Sequence, residues 1–207
     1  MPSRFRLRRV FRPLVRVLAQ AFIWLHISPN LISILAFSVA CLAAVLLSWY
    51  HCVIGYGLLV FVAGVLDGVD GEVARRTNRV SLAGGFLDSM LDRVADVVVL
   101  VPFLWLPTPF PQLGLNWWWV IAGVTGVLLV SYTRSRAQAA GVVDTDVGLA
   151  ARSERLFILV VASLLAFLYL PILYLGLILV AVFSHLTVVY RVLYYRRQLQ
   201  EMVSPKL

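Results

Sequence analysis

Val17–Leu66 reads VLAQAFIWLHISPNLISILAFSVACLAAVLLSWYHCVIGYGLLVFVAGVL and holds no Asp, Glu, Lys or Arg. Two further stretches, Val97–Thr133 and Leu156–Tyr190, are equally free of them. A helix crosses the hydrocarbon of a bilayer with about 20 residues. Each stretch is therefore too long for one span and suits two, joined by a tight uncharged turn. The turns are visible at Trp49–Gly55, at Pro107–Asn116, and at either Tyr169–Pro171 or Tyr174–Gly176. The pattern predicts an all-α polytopic membrane protein with six transmembrane helices, near 30–49, 54–76, 82–106, 117–140, 154–170 and 172–195. Residues 1–25 form an amphipathic juxtamembrane segment. Residues 26–200 form the six-helix domain, and residues 201–207 a C-terminal tail.

Composition supports this class. Of 207 residues, 61% are apolar and 14% charged, against roughly 25% charged in an ordinary soluble domain. Mean hydropathy is +0.91. A soluble fold, a disordered chain and a disulfide scaffold are all excluded. Cys41 and Cys52 lie in apolar sequence and carry no redox information.

The net charge is +8, and Arg4, Arg6, Arg8, Arg9, Arg12 and Arg16 precede the first apolar run. Phe5, Val10, Phe11, Leu14, Leu18 and Phe22 alternate with them, as in a helix lying at the interface of an anionic leaflet. There is no short apolar region with a small-residue cleavage site, so the start does not read as a cleavable signal. No soluble basic domain is present to bind nucleic acid. The three uncharged turns contain no Lys or Arg. By the positive-inside rule, both termini, the 2–3 junction and the 4–5 junction are cytoplasmic, which places a multi-pass protein in the cell membrane.

Within this apolar chain, Asp67, Asp70, Glu72, Asp88, Asp92 and Asp96 crowd together. A carboxylate at membrane depth costs a few kcal/mol even on the lenient insertion scale, so the segment needs compensation. Asp67 and Asp70 are i,i+3 near the cytoplasmic end of helix 2. Asp88 and Asp92 are i,i+4 on helix 3. Each pair shares one helix face, and a short connection lets the two helices be antiparallel neighbours. Four converging carboxylates repel unless a divalent cation sits between them, and all-oxygen ligation suits a hard ion such as Mg²⁺. Gly71, Ala74, Gly84 and Gly85 allow close approach of helices or of a phosphorylated ligand. Arg75, Arg76 and Arg79 place positive charge alongside, as a pyrophosphate requires. Simple pairing with Arg75, Arg79 or Arg93 is the plainer reading, and it suits Glu72 and Asp96. A cation transporter would use the same acids, although no inverted repeat or broken-helix pair stands out.

The string Asp67-Gly-Val-Asp70-Gly71-Glu-Val-Ala74-Arg75, followed by eight residues, Gly84, three residues, Asp88, three residues and Asp92, resembles the signature of the CDP-alcohol phosphatidyltransferase family without a gap. Chain length and six spans fit the same family. The resemblance implies an enzyme of phospholipid biosynthesis that moves a phosphoryl-alcohol group from a CDP-linked alcohol to a second alcohol and releases CMP. It implies two divalent ions, Mg²⁺ or Mn²⁺, held by Asp67, Asp70, Asp88 and Asp92, with Asp92 taking the proton of the attacking hydroxyl. It implies contacts to the CDP moiety from Asn30, Leu31, Ile32, Ser33, Gly71, Arg75 and Ser81, and a homodimer. The Pro29-Asn30 start would serve a plain helix equally well.

Ser131-Tyr132-Thr133-Arg134-Ser135-Arg136-Ala137 and Arg152-Ser153-Glu154-Arg155-Leu156 resemble segments of the phosphatidylinositol phosphate synthase branch and its archaeal counterparts, and Arg191 fits a third position. That branch implies a CDP-lipid of diacylglycerol or archaeol type as donor. It implies a phosphorylated polyol, inositol 1-phosphate, as acceptor, with Arg134, Arg152, Arg155 and Arg191 on its phosphate. Arg134 stands where a Lys is usual, which keeps the charge and changes the geometry. Cytoplasmic flanking charge is the plainer account of each Arg, and of Arg136. Glycerol 3-phosphate as acceptor and CDP-inositol as donor are the alternatives within the family. Tyr132, His26, His51 and His185 have no assigned role.

Overall fold

A computed structural model describes residues 10–107, 116–143, 145 and 147–203. Helix is the only regular structure among these residues, with no strand. Among the described residues seven α-helices run in order: α1 Arg12–Trp24, α2 Pro29–Tyr50, α3 Val53–Arg76, α4 Leu82–Val98, α5 Asn116–Ala139, α6 Arg152–Leu165 and α7 Pro171–Val203. A short 3₁₀ segment, Val101–Leu104, follows α4. The start of the amphipathic segment, the middle of the second uncharged turn and the end of the tail lie outside the described residues.

Helix boundaries follow local chemistry. Pro29 occupies the first turn of α2, where its missing N–H costs nothing. His51, at φ 52°, closes α2 in the left-handed region. Ser81 caps α4 by accepting from the Gly84 N–H at 3.0 Å. The expected helix 82–106 is shorter than predicted. It ends at Val98 and gives way to the 3₁₀ segment around Pro102, because proline lacks the N–H an α-helix needs. The third turn falls just before Pro171, where α7 begins.

Among the described residues, three helices are long and apolar enough to cross a membrane: Pro29–Tyr50, Val53–Arg76 and Pro171–Met202. Helices α4 and α6, with 17 and 14 residues, are shorter than the about 20 residues of a typical span.

Helix α3 is central. It packs on α2, α6 and α1, while α7 joins α6 to α5. Small residues set these approaches. A Cβ on Gly57 would lie 2.5 Å from Ser163 Cβ, and one on Gly176 would lie 2.5 Å from Ala162 Cβ, so both helices sit closer to α6 than larger side chains allow. The main core gathers Leu47, Tyr56, Phe103, Leu159, Leu173 and Leu177. Phe103 meets Tyr56 and Tyr174 edge-on, at 6.1 and 6.0 Å. A second core seats α1, with Ala19 against Ile32, Val65, Val69 and Val73.

The sequence suggests that α3 and α4 are packed neighbours, but they scarcely touch. Both lean on α2 instead, with α6 closing the other side of α3. The acidic faces of α3 and α4 therefore look at each other across a cleft.

Candidate active site

The cleft runs between α2, α3, α4 and α6 and is narrow, with about 20 Å³ of accessible space. Its upper wall carries Asp67 and Asp70 from α3, Asp88 and Asp92 from α4, Ser33 from α2 and Arg152 from α6. Its lower wall is apolar, with the small Ala36, Ala40, Val60, Ala63, Gly64 and Ala95 beside the larger Phe37, Leu91 and Leu156. Helical periodicity builds this wall: Val60, Gly64 and Asp67 share one face of α3, and Asp88, Asp92, Ala95 and Val99 share one face of α4. An ionic head above an apolar floor suits a ligand with a charged group and a lipid tail.

Asp67, Asp88 and Asp92 each offer a carboxylate oxygen within 4.8 Å of the others. Asp70 lines the same cleft but is more deeply placed. Its Oδ2 accepts from Ser33 Oγ at 2.5 Å and its Oδ1 from the Gly71 N–H. The predicted quartet thus forms as a converging trio with a fourth, hydrogen-bonded member beside it. The donors are all oxygen, which fits a hard divalent ion.

A cation already stands among them. Arg152 Nη1 is 2.6 Å from Asp67 Oδ1 and 2.8 Å from Asp92 Oδ1, and Nε donates to Asp96 Oδ1 at 3.0 Å. Arg152 therefore faces the carboxylates rather than a separate anion pocket. Asp96, to which the sequence gives no catalytic part, also accepts from Arg155 Nη2 through Oδ2 at 3.4 Å. Its position one turn beyond Asp92 was the available signal. It pairs with these two arginines instead of Arg93, whose Nη1 donates to Ser89 O. Glu72 pairs with Arg75 and Arg76, at 3.0 and 2.9 Å.

The residues expected around a CDP moiety divide in two. Asn30, Ser81 and Gly84 meet at the starts of α2 and α4: a Cβ on Gly84 would lie 2.9 Å from Ser81 Oγ and 3.1 Å from Asn30 Oδ1. The Arg75 guanidinium lies over Gly71, with Nη1 3.3 Å from where a Cβ would be. Ser33 reaches Asp70. In contrast, Ile32 is fully buried in the core beneath α1, and Leu31 is 46% exposed. Neither side chain lines the cleft.

The expected acceptor arginines are not gathered into one open pocket. Arg155 is buried and bonded to Asp96 and to Ala150 O at 3.4 Å. Arg191 is buried and donates to Val147 O at 2.8 Å and to Val130 O. Arg134 is exposed on α5. Long side chains find their partners through tertiary packing, and sequence spacing does not report it.

A family model described as CDP-alcohol phosphatidyltransferase matches residues 26–192. Archaetidylinositol phosphate synthase of Pyrococcus horikoshii is 32% identical over 194 residues, covering 93% of this chain and 95% of that protein. Phosphatidylinositol phosphate synthase of Mycobacterium tuberculosis with CDP-DAG bound has the same fold, at a TM-score of 0.76 and 24% identity over 88% of this chain and 94% of that one. The same Mycobacterium protein in complex with manganese and citrate gives a TM-score of 0.73 and 25% identity, over 87% of this chain and 88% of that one.

Proposed function

The chain belongs to the CDP-alcohol phosphatidyltransferase family, and from that premise we propose that it joins a CDP-lipid to inositol 1-phosphate, giving a phosphatidylinositol-phosphate-type lipid and CMP. The observation that carries the reading is the convergence of Asp67, Asp88 and Asp92 at the head of an apolar-floored cleft. The printed names of the relatives, archaetidylinositol and phosphatidylinositol phosphate synthases, support the acceptor. The CDP-DAG and manganese bound by the Mycobacterium protein support a CDP-lipid donor and a divalent ion.

Asp67, Asp70, Asp88 and Asp92 would hold two ions, Mg²⁺ or Mn²⁺, whose chemistry is to neutralise the bridging phosphate oxygens and the departing CMP. The chain's own residues do the rest. Asn30, Ser33, Gly71, Arg75 and Ser81 bind and orient the cytidine diphosphate. The small residues of the lower wall admit the lipid end and exclude water from it. Asp92, on the cleft side of α4, takes the proton from the acceptor hydroxyl at its carboxylate oxygen. Alignment of that hydroxyl with the phosphorus supplies much of the rate. We assign the acceptor phosphate to Arg134, and to Arg152 once it is released from the carboxylates. Arg155 and Arg191 hold the frame behind them.

In this reading α2 to α7 lie across the membrane, α1 lies at its interface, both termini and the cleft mouth face the cytoplasm, and two copies pair. The domain limits stay at 1–25, 26–200 and 201–207. The test is CMP release by the purified protein from a CDP-lipid with Mg²⁺ and a panel of acceptors. Inositol 1-phosphate should be preferred over free inositol and glycerol 3-phosphate. Equal use of free inositol removes the anionic acceptor, and preference for glycerol 3-phosphate moves the chain to another branch.

A further inference from the structure

We propose that Arg152 is a built-in competitor of the divalent ion: its guanidinium holds the seat among Asp67, Asp88 and Asp92, and a bound ion must displace it. The inference rests on the metal reading above.

The two ends of this guanidinium are held differently. Nε makes a directed bond to Asp96 Oδ1 at 3.0 Å, and Asp96 is fixed in turn by Arg155. Nη1 lies 2.6 and 2.8 Å from Asp67 and Asp92, yet this buried nitrogen has no properly directed hydrogen-bond partner. It sits there as charge. A directed fork would prefer to point its N–H bonds at the oxygens. Asp96 is thus the tether, and the carboxylate trio is the seat.

Sterics make the two cations exclusive. An ion such as Mg²⁺ draws its oxygen ligands to about 2.0–2.1 Å. A nitrogen already within 2.8 Å of two of the three carboxylates occupies the same small volume. Electrostatics explains why something must occupy it. Four carboxylates line the cleft against one guanidinium, and removing that charge leaves their repulsion unopposed at low dielectric. Arg152 therefore stabilises the metal-free fold and weakens metal binding by the same coupling. When displaced, its guanidinium stays on the Asp96 tether, free to meet an anion in the cleft.

The test compares wild type with Arg152→Gln in detergent, reading Mn²⁺ binding by the EPR signal of free Mn²⁺ and unfolding by thermal melts with and without Mn²⁺. Arg152→Gln should bind Mn²⁺ about 5–150-fold more tightly, the usual range of a coupling between two sites. Its Tm should fall in EDTA and return to the wild-type value with saturating Mn²⁺. If the variant folds only when Mn²⁺ is present, the proposal is also supported. Unchanged or weaker Mn²⁺ affinity, a loss of Tm that Mn²⁺ does not restore, or failure to fold in both conditions overturns it. Asp88→Asn, with Arg152 intact, tests the underlying reading separately. It should lose Mn²⁺ binding, and if it does not, the metal site itself is misassigned.

Discussion

Asp67, Asp88 and Asp92 stand around a cleft with one guanidinium among them, whereas Arg155 and Arg191 are buried and bonded to fixed oxygens of Asp96, Ala150, Val130 and Val147. Both groups are ionisable side chains brought close to or inside the membrane. The acids outnumber the one guanidinium among them, and clustered acids at membrane depth mark a candidate functional site. The two arginines have their donors directed at carbonyl or carboxylate oxygens, which is the condition of a staple. The contrast separates residues that wait for a ligand from residues that hold the helices which present it.

The largest effects should come from the acids. Asp67→Asn or Asp88→Asn is expected to abolish CMP release and weaken Mn²⁺ binding, while the melting curve changes little. Wild-type-like turnover in either would remove that residue from the site. A transporter would lose ion flux in the same variants and show no CMP release at all.

Next comes the staple. Arg191→Ala leaves two carbonyls without their donor. Hydrogen bonds to a charged group are worth about 1.5–3 kcal/mol each, so Tm should fall on the order of 10 °C. If Arg191 instead binds the acceptor phosphate directly, KM for the acceptor would rise at an unchanged Tm, and the contrast drawn above would fail.

A smaller effect is expected at Ser81, which caps α4 beside Asn30. Ser81→Ala should cost about 1 kcal/mol of stability, together with a higher KM for the CDP-lipid and an unchanged KM for the acceptor. Loss of stability alone would reduce Ser81 to a cap.

Sidedness can be read with little perturbation. Cys52 is exposed in the turn between α2 and α3, and Asn78 lies between α3 and α4. In a Cys41→Ser background, Cys52 should label from outside and Asn78→Cys from the cytoplasm. Labelling of both from one face would reject the six-span topology.

The sequence made the long elements plain. Uncharged runs punctuated by Pro, Gly and Trp place α2, α3 and α5 within a residue or so of their observed ends, because burial in lipid leaves a continuous compositional signal. The end of α4 was less clear, since the apolar run continues past Val98 while Pro102 breaks the hydrogen-bond pattern. The acidic faces were legible from i,i+3 and i,i+4 spacing alone. What spacing could not show is that α2 and α6 flank α3 and keep α4 apart, turning an expected helix contact into a cleft. Nor could it show where the arginines reach. Arg152 and Arg155 are one turn apart on α6, yet one enters the carboxylate cluster and the other lies behind it on Asp96. The role of Asp96 depends on that tertiary arrangement.

We propose that Asp92 takes the acceptor's proton within the carboxylate cluster that would hold the metal. The most direct measurement is CMP release by Asp92→Asn with a CDP-lipid, Mg²⁺ and saturating inositol 1-phosphate, alongside CDP-lipid binding by the same variant. Binding should persist, because three carboxylates remain, while kcat falls by about 10²–10⁴, the usual contribution of general base catalysis. A variant with kcat intact and only KM raised would show that Asp92 is a ligand and that the base lies elsewhere.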